Sequence, residues 1–179
     1  RNILCGRHPE YYSEDPILTG TLMAYQARGL EENGVIATYK HLIANNMEFE
    51  RKSAHGIIDE NTLRDLYLRV FDKAFSLYKP GCVMTSYNPV NGIYPCENPA
   101  LLNDLLRGEW GFDGFVMTDW GSYDTADSIR SVCAGTNLLT PGSKKHFRMI
   151  LKAVKRNEIS KAALQHSVKQ IVKVLVRCI

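Results

Sequence analysis

The stretch DGFVMTDW, residues 113–120, indicates the fold class of this chain. Its centre, Phe115–Thr118, is a short and largely apolar run that begins directly after an Asp-Gly turn signal. A run of this length between turn residues is typical of a strand buried in a parallel sheet. A polar residue and an aromatic one, Asp119 and Trp120, follow at the point where the strand would end.

The same arrangement recurs along the chain and predicts an α/β fold. Runs at 35–39 and 82–86 also follow turn residues, and 137–139 is a weaker strand candidate. Segments with helical periodicity separate these runs, and alternating strands and helices are the pattern of a parallel α/β sheet. The predicted helices are Leu18 to Glu32, Asp59 to Tyr78, Ala100 to Arg107, Lys145 to Arg156 and Ser160 to Arg177.

Four strand–helix units and a terminal helix fit an open doubly wound sheet or part of an eight-stranded barrel. No glycine-rich phosphate motif follows any of the runs, which weakens the nucleotide-binding interpretation. Polar pairs follow three of the predicted strands, at Lys40–His41, Tyr87–Asn88 and Asp119–Trp120. Because barrels carry their chemistry at that end of the strands, we favour a partial (β/α)8 TIM-type barrel. All 179 residues are assigned to one domain.

Composition excludes several other classes. Hydrophobic residues are 45% and charged residues 23%, which is ordinary for a globular domain. The net charge of +3 forms no basic stripe, so a nucleic-acid partner is not expected. No apolar run approaches the roughly 18 residues of a membrane span. The chain opens inside a motif, so we expect a piece of a longer polypeptide.

The five cysteines favour neither a disulfide framework nor a zinc site, since their number is odd and no CxxC occurs. Cys82 and Cys133 lie in apolar surroundings and are predicted to be buried. No metal-ligand spacing is present, so no metal or organic cofactor is expected. The cellular location stays unknown, with a cytoplasmic one preferred on cysteine usage.

Asp119 and the Lys40–His41 pair are the first candidates for chemistry. A carboxylate at a strand end can attack or stabilise an electron-poor sugar carbon, although Asp119 can equally cap the next helix. Lys40 and His41 can hold the hydroxyls of a polar ligand. Lys40 alone can form a Schiff base, as in barrel aldolases, and a solvated loop pair is the plain alternative. The residues Arg7, Arg51, Tyr87 and Trp120 are not specific individually.

Five motifs in order resemble the family 3 glycoside hydrolases of the β-glucosidase and β-xylosidase type. The block at 106–120 is the longest and most specific of them. The others are Gly6–Arg7 with 11–16, then 40–51, 84–88, and Ala134–Gly135 with Pro141–Gly142. The sequence departs from the family's usual pattern at Asn137 and Thr140, where Asp and Met are common. The motifs of the N-acetylglucosaminidase branch are missing.

The resemblance implies a retaining hydrolase of terminal, non-reducing β-linked sugars, glucose first and xylose second. Asp119 falls on the family's nucleophile, in its Ser/Thr–Asp–Trp motif. The resemblance also implies roles for six further residues in binding the substrate, a β-linked glycoside or oligosaccharide. Five of them position the sugar and the sixth packs on it: Arg7, Lys40, His41, Arg51, Tyr87 and, for packing, Trp120.

The resemblance further implies that half of the active site lies outside this chain. The family's acid/base glutamate belongs to a following α/β sandwich domain, and its first barrel strands carry another sugar-binding Asp. We therefore expect the fragment to be inactive alone. The alternative is a truncated, non-catalytic sugar-binding remnant. The candidates for a replacement acid within the chain are Glu14, Glu48, Glu50 and Glu97.

Overall fold

The computed structural model describes residues 5–178 and contains a three-stranded parallel sheet. The strands are β1 (Thr38–Leu42), β2 (Cys82–Thr85) and β3 (Phe115–Thr118), adjacent in that order. Cys82 pairs with Phe115 at one end of β2 and β3, and Thr85 pairs with Thr118 at the other. Because the strands are parallel, their carboxyl ends lie at the same edge of the sheet. The predicted α/β class is confirmed.

Helices connect and follow the strands. α1 is Pro16–Glu31, and Asp15 caps it by accepting hydrogen bonds from the backbone N–H groups of Ile17 and Leu18. None of the helices described in residues 5–178 is long and apolar enough to cross a membrane. The remaining helices are α2 (60–77, with a π-helical segment at Leu63–Leu68), α3 (Ala100–Glu109, π-helical), α4 (Ser128–Ala134), α5 (Lys144–Lys155) and α6 (Lys161–Leu175). Single 3-10 turns lie at His8–Glu10, Pro95–Glu97, Ser122–Asp124 and Val176–Cys178.

The main core lies between one face of the sheet and α1, α2 and α3. Tyr39, Val83 and Val116, one from each strand, are buried there against helical side chains such as Phe75 and Leu102. Successive side chains of a strand face opposite sides, so Cys82 and Phe115 face the other way. They form a second cluster with Val174 of α6. α6 therefore covers the amino-terminal ends of β2 and β3, which leaves the carboxyl ends for the polar residues.

The first strand lies later in the chain than the predicted run at 35–39. Leu42 is in register with Thr85, and its carbonyl oxygen accepts a hydrogen bond from the Ser86 backbone N–H at 2.6 Å. Val35, at the start of the predicted run, is exposed. The expectation that Lys40 and His41 follow the strand is therefore wrong, because both lie within β1. The apolar residues after His41 remain buried and extend the pairing beyond it.

The end of the sheet differs from the prediction in two further places. The weak candidate at 137–139 is reduced to a single parallel bridge between Leu138 and Met117. α4 was not predicted, although Asp127 caps it and Gly135 ends it in the left-handed conformation. Cys82 is buried as expected, whereas Cys133 is exposed. The prediction for Cys133 is wrong because α4 turns this position away from the core.

Candidate active site

Asp119 lies at the centre of the polar edge formed by the carboxyl ends of the strands. It directly follows β3, and only 7% of the residue is exposed. Its Oδ1 accepts a hydrogen bond of 2.6 Å from the Trp120 backbone N–H. Its Oδ2 lies 3.3 Å from Nε2 of His41 and 3.9 Å from Nη1 of Arg7. One carboxylate oxygen is thus fixed by the backbone, while the other faces an imidazole and a guanidinium.

His41 connects β1 to this carboxylate. Its side chain is almost completely buried, and Nε2 also lies 3.2 Å from Nη2 of Arg7. On the other side of the ring, Nδ1 lies 2.5 Å from the hydroxyl oxygen of Tyr11. The histidine thus contacts a carboxylate, a guanidinium and a phenol at once. The Lys40–His41 and Leu42–Ile43 peptide bonds are cis.

Glu10 holds two of the cations of the site, Arg7 and Lys40. One carboxylate oxygen accepts a hydrogen bond from Nε of Arg7 and the other from Nζ of Lys40. Burial raises the pKa of Glu10, but the two hydrogen bonds and charges outweigh it and lower the pKa to about 2. For the cation Arg7 burial acts in the opposite direction and lowers the pKa. The hydrogen bond to Glu10 and the charge of Glu10 outweigh burial, so the pKa of Arg7 is raised.

Tyr87 forms the side of the site next to β2. Its hydroxyl donates a hydrogen bond of 2.7 Å to the carbonyl oxygen of Trp120. The guanidinium of Arg51 lies 4.6 Å from the centre of the Tyr87 ring, a cation–π distance. Burial, with the charge of Asp119 as the next cause, raises the pKa of Tyr87 to about 12. Arg51 in turn donates a hydrogen bond of 2.9 Å to Glu48.

The structure brings most of the predicted site residues together, but by different routes. Arg7, His41 and Tyr87 contact Asp119 or the residue after it, whereas Lys40 joins them through Glu10 and Arg51 through Tyr87. Trp120 contributes its backbone, while 67% of the residue is exposed. Its expected packing on a sugar stays a prediction.

Three contributing residues were not predicted as site residues: Glu10, Tyr11 and Lys52. Lys52 donates to the Gly121 carbonyl at 3.1 Å and lies 5.7 Å from the centre of the Tyr87 ring. The available signal was local, since Glu10 follows Arg7 at the spacing of one helical turn and Tyr11 begins a quoted motif. No sequence rule pairs Tyr11 with His41, thirty residues later.

The four candidate replacement acids have different surroundings. Glu48 lies in the site, with Oε2 bonded to Arg51 and Oε1 3.8 Å from Nε of Arg7. Glu97 accepts a hydrogen bond from the Asp127 backbone N–H and so helps to cap α4. Glu14 and Glu50 are exposed. Within residues 5–178, no three His, Cys, Asp or Glu side chains are grouped so that they could hold a metal ion.

This arrangement suits a polyhydroxylated ligand that develops positive charge. The carboxylate Asp119 supplies a negative charge at the centre, and the surrounding groups supply several hydrogen-bond donors. Convergent hydrogen-bond donors can bind sugar hydroxyls, and a carboxylate at close range stabilises an oxocarbenium-like centre. The fold and the site together are those of an α/β enzyme domain with its polar site at the carboxyl ends of parallel strands.

Comparison with known proteins gives the family. Residues 1–174 match the Glycosyl hydrolase family 3 N terminal domain. The chain is 40% identical over 178 residues to the probable beta-glucosidase J of Aspergillus fumigatus, covering 98% of this chain and 20% of that protein. It is 41% identical to the thermostable beta-glucosidase B of Acetivibrio thermocellus, covering 98% of this chain and 23% of that protein.

A solved structure agrees with these relatives. Beta-glucosidase 3B of Thermotoga neapolitana in complex with glucose aligns with a TM-score of 0.93 at 41% identity, over 99% of this chain and 26% of that chain. The chain belongs to glycoside hydrolase family 3 and corresponds to the family's N-terminal domain. It spans about a fifth to a quarter of the length of the relatives it matches.

Proposed function

We propose that this domain carries the nucleophile of a retaining glycoside hydrolase that removes terminal, non-reducing β-D-glucosyl residues, with xylosyl residues as the second substrate class. The relatives named as beta-glucosidases support the substrate class. Asp119 is the nucleophile in this proposal. The residues that position the sugar are Arg7, Lys40, His41, Arg51 and Tyr87, and Trp120 packs on it.

The surroundings of Asp119 carry the proposal. The carboxylate is buried at a strand end, one oxygen is fixed by a backbone N–H, and the other faces His41 and Arg7. A nucleophile needs a fixed direction of attack, and binding in a near-attack geometry contributes much of a catalysed rate. Capping a helix does not require an aspartate to contact an imidazole and a guanidinium, as Asp119 does.

The reaction proceeds in two displacements at the anomeric carbon. In the first, a carboxylate oxygen of Asp119 forms a bond to that carbon. The bond to the leaving oxygen breaks, and this oxygen keeps the electron pair and takes a proton from a carboxylic acid. In the second, water attacks the anomeric carbon, the bond to Asp119 breaks, and the released carboxylate is ready for another cycle.

The acid that protonates the leaving oxygen belongs, in this proposal, to an α/β sandwich domain of the same polypeptide. Of the four candidate replacement acids, Glu48 is the one that contacts site residues, and both of its oxygens face arginines. A carboxyl engaged in this way is poorly placed to deliver a proton to a leaving group. The relatives are four to five times longer than this chain, which leaves room for such a domain.

We also propose that the sheet is part of a (β/α)8 barrel whose first strands lie beside β1. β1 pairs with β2 on one side. A cavity of about 240 Å³ lies between β1, α1 and α2, with apolar residues such as Met23, Ala27 and Phe71 in its lining. A further parallel strand along the outer edge of β1 would fill this space and complete the hydrogen bonding of the edge.

Covalent labelling tests the proposed nucleophile. An activated 2-deoxy-2-fluoro-β-glucoside should add one sugar to the protein, and peptide mass spectrometry should find that sugar on Asp119. Asp119→Asn should abolish the labelling. Asp113→Asn is the matched control, because Asp113 lies before the other end of β3, exposed and paired with Lys173. Labelling of another residue, or turnover without labelling, would refute the proposal.

The sugar-binding remnant is the second candidate, because it would keep the positioning residues and lack the acid. The intact mass of the native protein separates the two. A mass several times 20.2 kDa supports the hydrolase, and a mass near 20.2 kDa supports the remnant. A Lys40 Schiff-base enzyme is disfavoured by the structure. Nζ of Lys40 is ion-paired with Glu10, and more than a third of the Lys40 side chain is exposed, so the amine is not desolvated.

A further inference from the structure

Tyr11 contacts the site through its hydroxyl group. It follows the 3-10 turn His8–Glu10, and its oxygen lies 2.5 Å from Nδ1 of His41. The two ring centres are 6.1 Å apart and the rings are tilted by 47°, so the hydroxyl makes the close contact rather than a stacked ring. A substitution that removes the hydroxyl alone, Tyr11→Phe, therefore tests this contact while the aromatic ring is kept.

The opposite side of the His41 ring faces two groups with conflicting demands. Nη2 of Arg7, 3.2 Å from Nε2, can only donate a hydrogen bond, and Oδ2 of Asp119, 3.3 Å from Nε2, can only accept one. A neutral imidazole carries one N–H, so Nε2 is able to satisfy one of these neighbours at a time. The position of the proton on His41 therefore decides whether the ring points a hydrogen or a lone pair at the carboxylate.

The hydroxyl of Tyr11 fixes the position of that proton. Nη2 of Arg7 is hydrogen-bonded to Nε2 of His41, and a guanidinium can only donate, so Nε2 is the acceptor and carries no hydrogen. The ring proton is then on Nδ1, which donates it to the hydroxyl oxygen of Tyr11 at 2.5 Å. With this oxygen as its acceptor, the proton stays on Nδ1, and Nε2 presents no hydrogen to Oδ2 of Asp119.

The two oxygens of Asp119 are then unequal. Oδ1 accepts the hydrogen bond from the Trp120 backbone, and Oδ2 accepts none from the residues that the structure describes. The 3.3 Å from Oδ2 to Nε2 of His41 is longer than an ordinary hydrogen bond. The contact restricts rotation of the carboxylate and leaves a lone pair of Oδ2 available for attack.

We propose that Tyr11 is a positioning residue, which acts through His41 to present Oδ2 of Asp119 as the atom that attacks the sugar. The inference rests on the proposed hydrolase function and adds to it a residue and an attacking atom. In the bond-forming step, a lone pair of Oδ2 bonds to the anomeric carbon. With a dinitrophenyl leaving group, the glycosidic bond breaks and the phenolate departs with the electron pair, so no acid is required.

The kinetic test compares phenylalanine substitutions of two neighbouring tyrosines, made in the complete protein. Tyr12 is the matched control, since it is partly exposed and adjacent to Tyr11. We expect Tyr11→Phe to slow the labelling of Asp119 by 2,4-dinitrophenyl 2-deoxy-2-fluoro-β-glucoside by about 10- to 100-fold, with little change in the concentration for half-saturation. Tyr12→Phe should label at the wild-type rate. Equal rates in wild type and Tyr11→Phe would overturn the inference.

A spectroscopic test begins with the wild-type protein, whose result alone can overturn the inference. In nitrogen-15 NMR, the chemical shift of the ring nitrogen that carries hydrogen differs clearly from that of the ring nitrogen without hydrogen. We expect His41 of the wild-type protein to carry its proton on Nδ1, and Tyr11→Phe to shift the balance toward Nε2. A wild-type proton on Nε2 would overturn the inference and leave the proposed function standing.

The two proposals fail in distinguishable ways. If the wild-type protein is not labelled on Asp119, the proposed function fails and the inference fails with it. If Asp119 is labelled normally, a structure of the labelled protein identifies the bonded oxygen. A bond from Oδ2 to the sugar supports the inference, and a bond from Oδ1 overturns it alone.

Discussion

Replacing Glu10 by glutamine should destabilise the protein in a pH-dependent way. The carboxylate accepts hydrogen bonds from both Arg7 and Lys40, and these lower its pKa from 4.5 to about 2. That difference corresponds to about 3 kcal/mol of preferential stabilisation of the ionised form. The Glu10 side chain is 30% exposed, so solvent screening reduces the contribution to about 1–2 kcal/mol.

The direction with pH follows from the lowered pKa. Above pH 4.5, Glu10 is ionised in both the folded and the unfolded protein, and the full contribution is present. As the pH falls from 4.5 toward 2, the unfolded chain binds a proton that the folded protein does not, and the contribution is lost. The stability difference between wild type and Glu10→Gln should therefore be constant near neutrality and narrow in acid.

Urea unfolding between pH 7 and pH 3.5 measures this difference. Glu60→Gln is the control, because Glu60 also accepts a hydrogen bond from an arginine Nε, that of Arg64 at 2.6 Å, but on an exposed helix. An exposed pair of this kind contributes about 0.5 kcal/mol or less. The reasoning is refuted if the two variants lose the same stability, or if the effect of Glu10→Gln grows as the pH falls.

Two further substitutions test the packing around β3. Asn137→Asp should raise the free energy of unfolding by about 1 kcal/mol at pH 7, because Asn137 Oδ1 accepts from Arg107 and from the Val116 backbone N–H, and bonds to a charged acceptor are stronger. Thermal unfolding checks this, and a lower melting temperature would contradict it. Gly114→Ala should cost about 3 kcal/mol or more, because its Cβ would overlap the carbonyl oxygen of Gly81. Gly29→Ala, which meets nothing within 4 Å, is the control for the same measurement and should be neutral or stabilising.

A strand could be predicted correctly where neighbouring residues in the sequence mark its ends. The errors arose where pairing with an adjacent strand determines where the strand ends. β3 has the bounds that its run predicted, since turn residues begin it and a polar pair follows it. The end of β1 could not be predicted from its local sequence. Lys40 and His41 look like residues after a strand, yet the pairing with β2 is only interrupted at these two residues and resumes between Leu42 and Thr85. An irregularity of this kind is common next to active sites, because it redirects side chains.

The contents of the site could be predicted better than its connections. Asp119 follows from its place directly after β3, whereas His41 was singled out although it lies inside β1. The family resemblance supplied Arg7 and Arg51. Glu10 could not be found in the same way, because an acidic residue in a short polar segment is usually a solvated surface residue. Glu10 belongs to the site because it accepts a hydrogen bond from Lys40, which lies thirty positions later in the chain and is brought next to Glu10 by the fold.

The same connections explain how long cationic side chains can serve as a rigid binding surface. A lysine or arginine loses about 2 kcal/mol of side-chain entropy when it is fixed. In this site Glu10 fixes Arg7 and Lys40, and Glu48 with the Tyr87 ring fixes Arg51, before any ligand arrives. Ordering that precedes binding does not weaken the affinity for the ligand. In the proposed function, the carboxylates around the site therefore contribute to sugar binding through the cations that they hold in place.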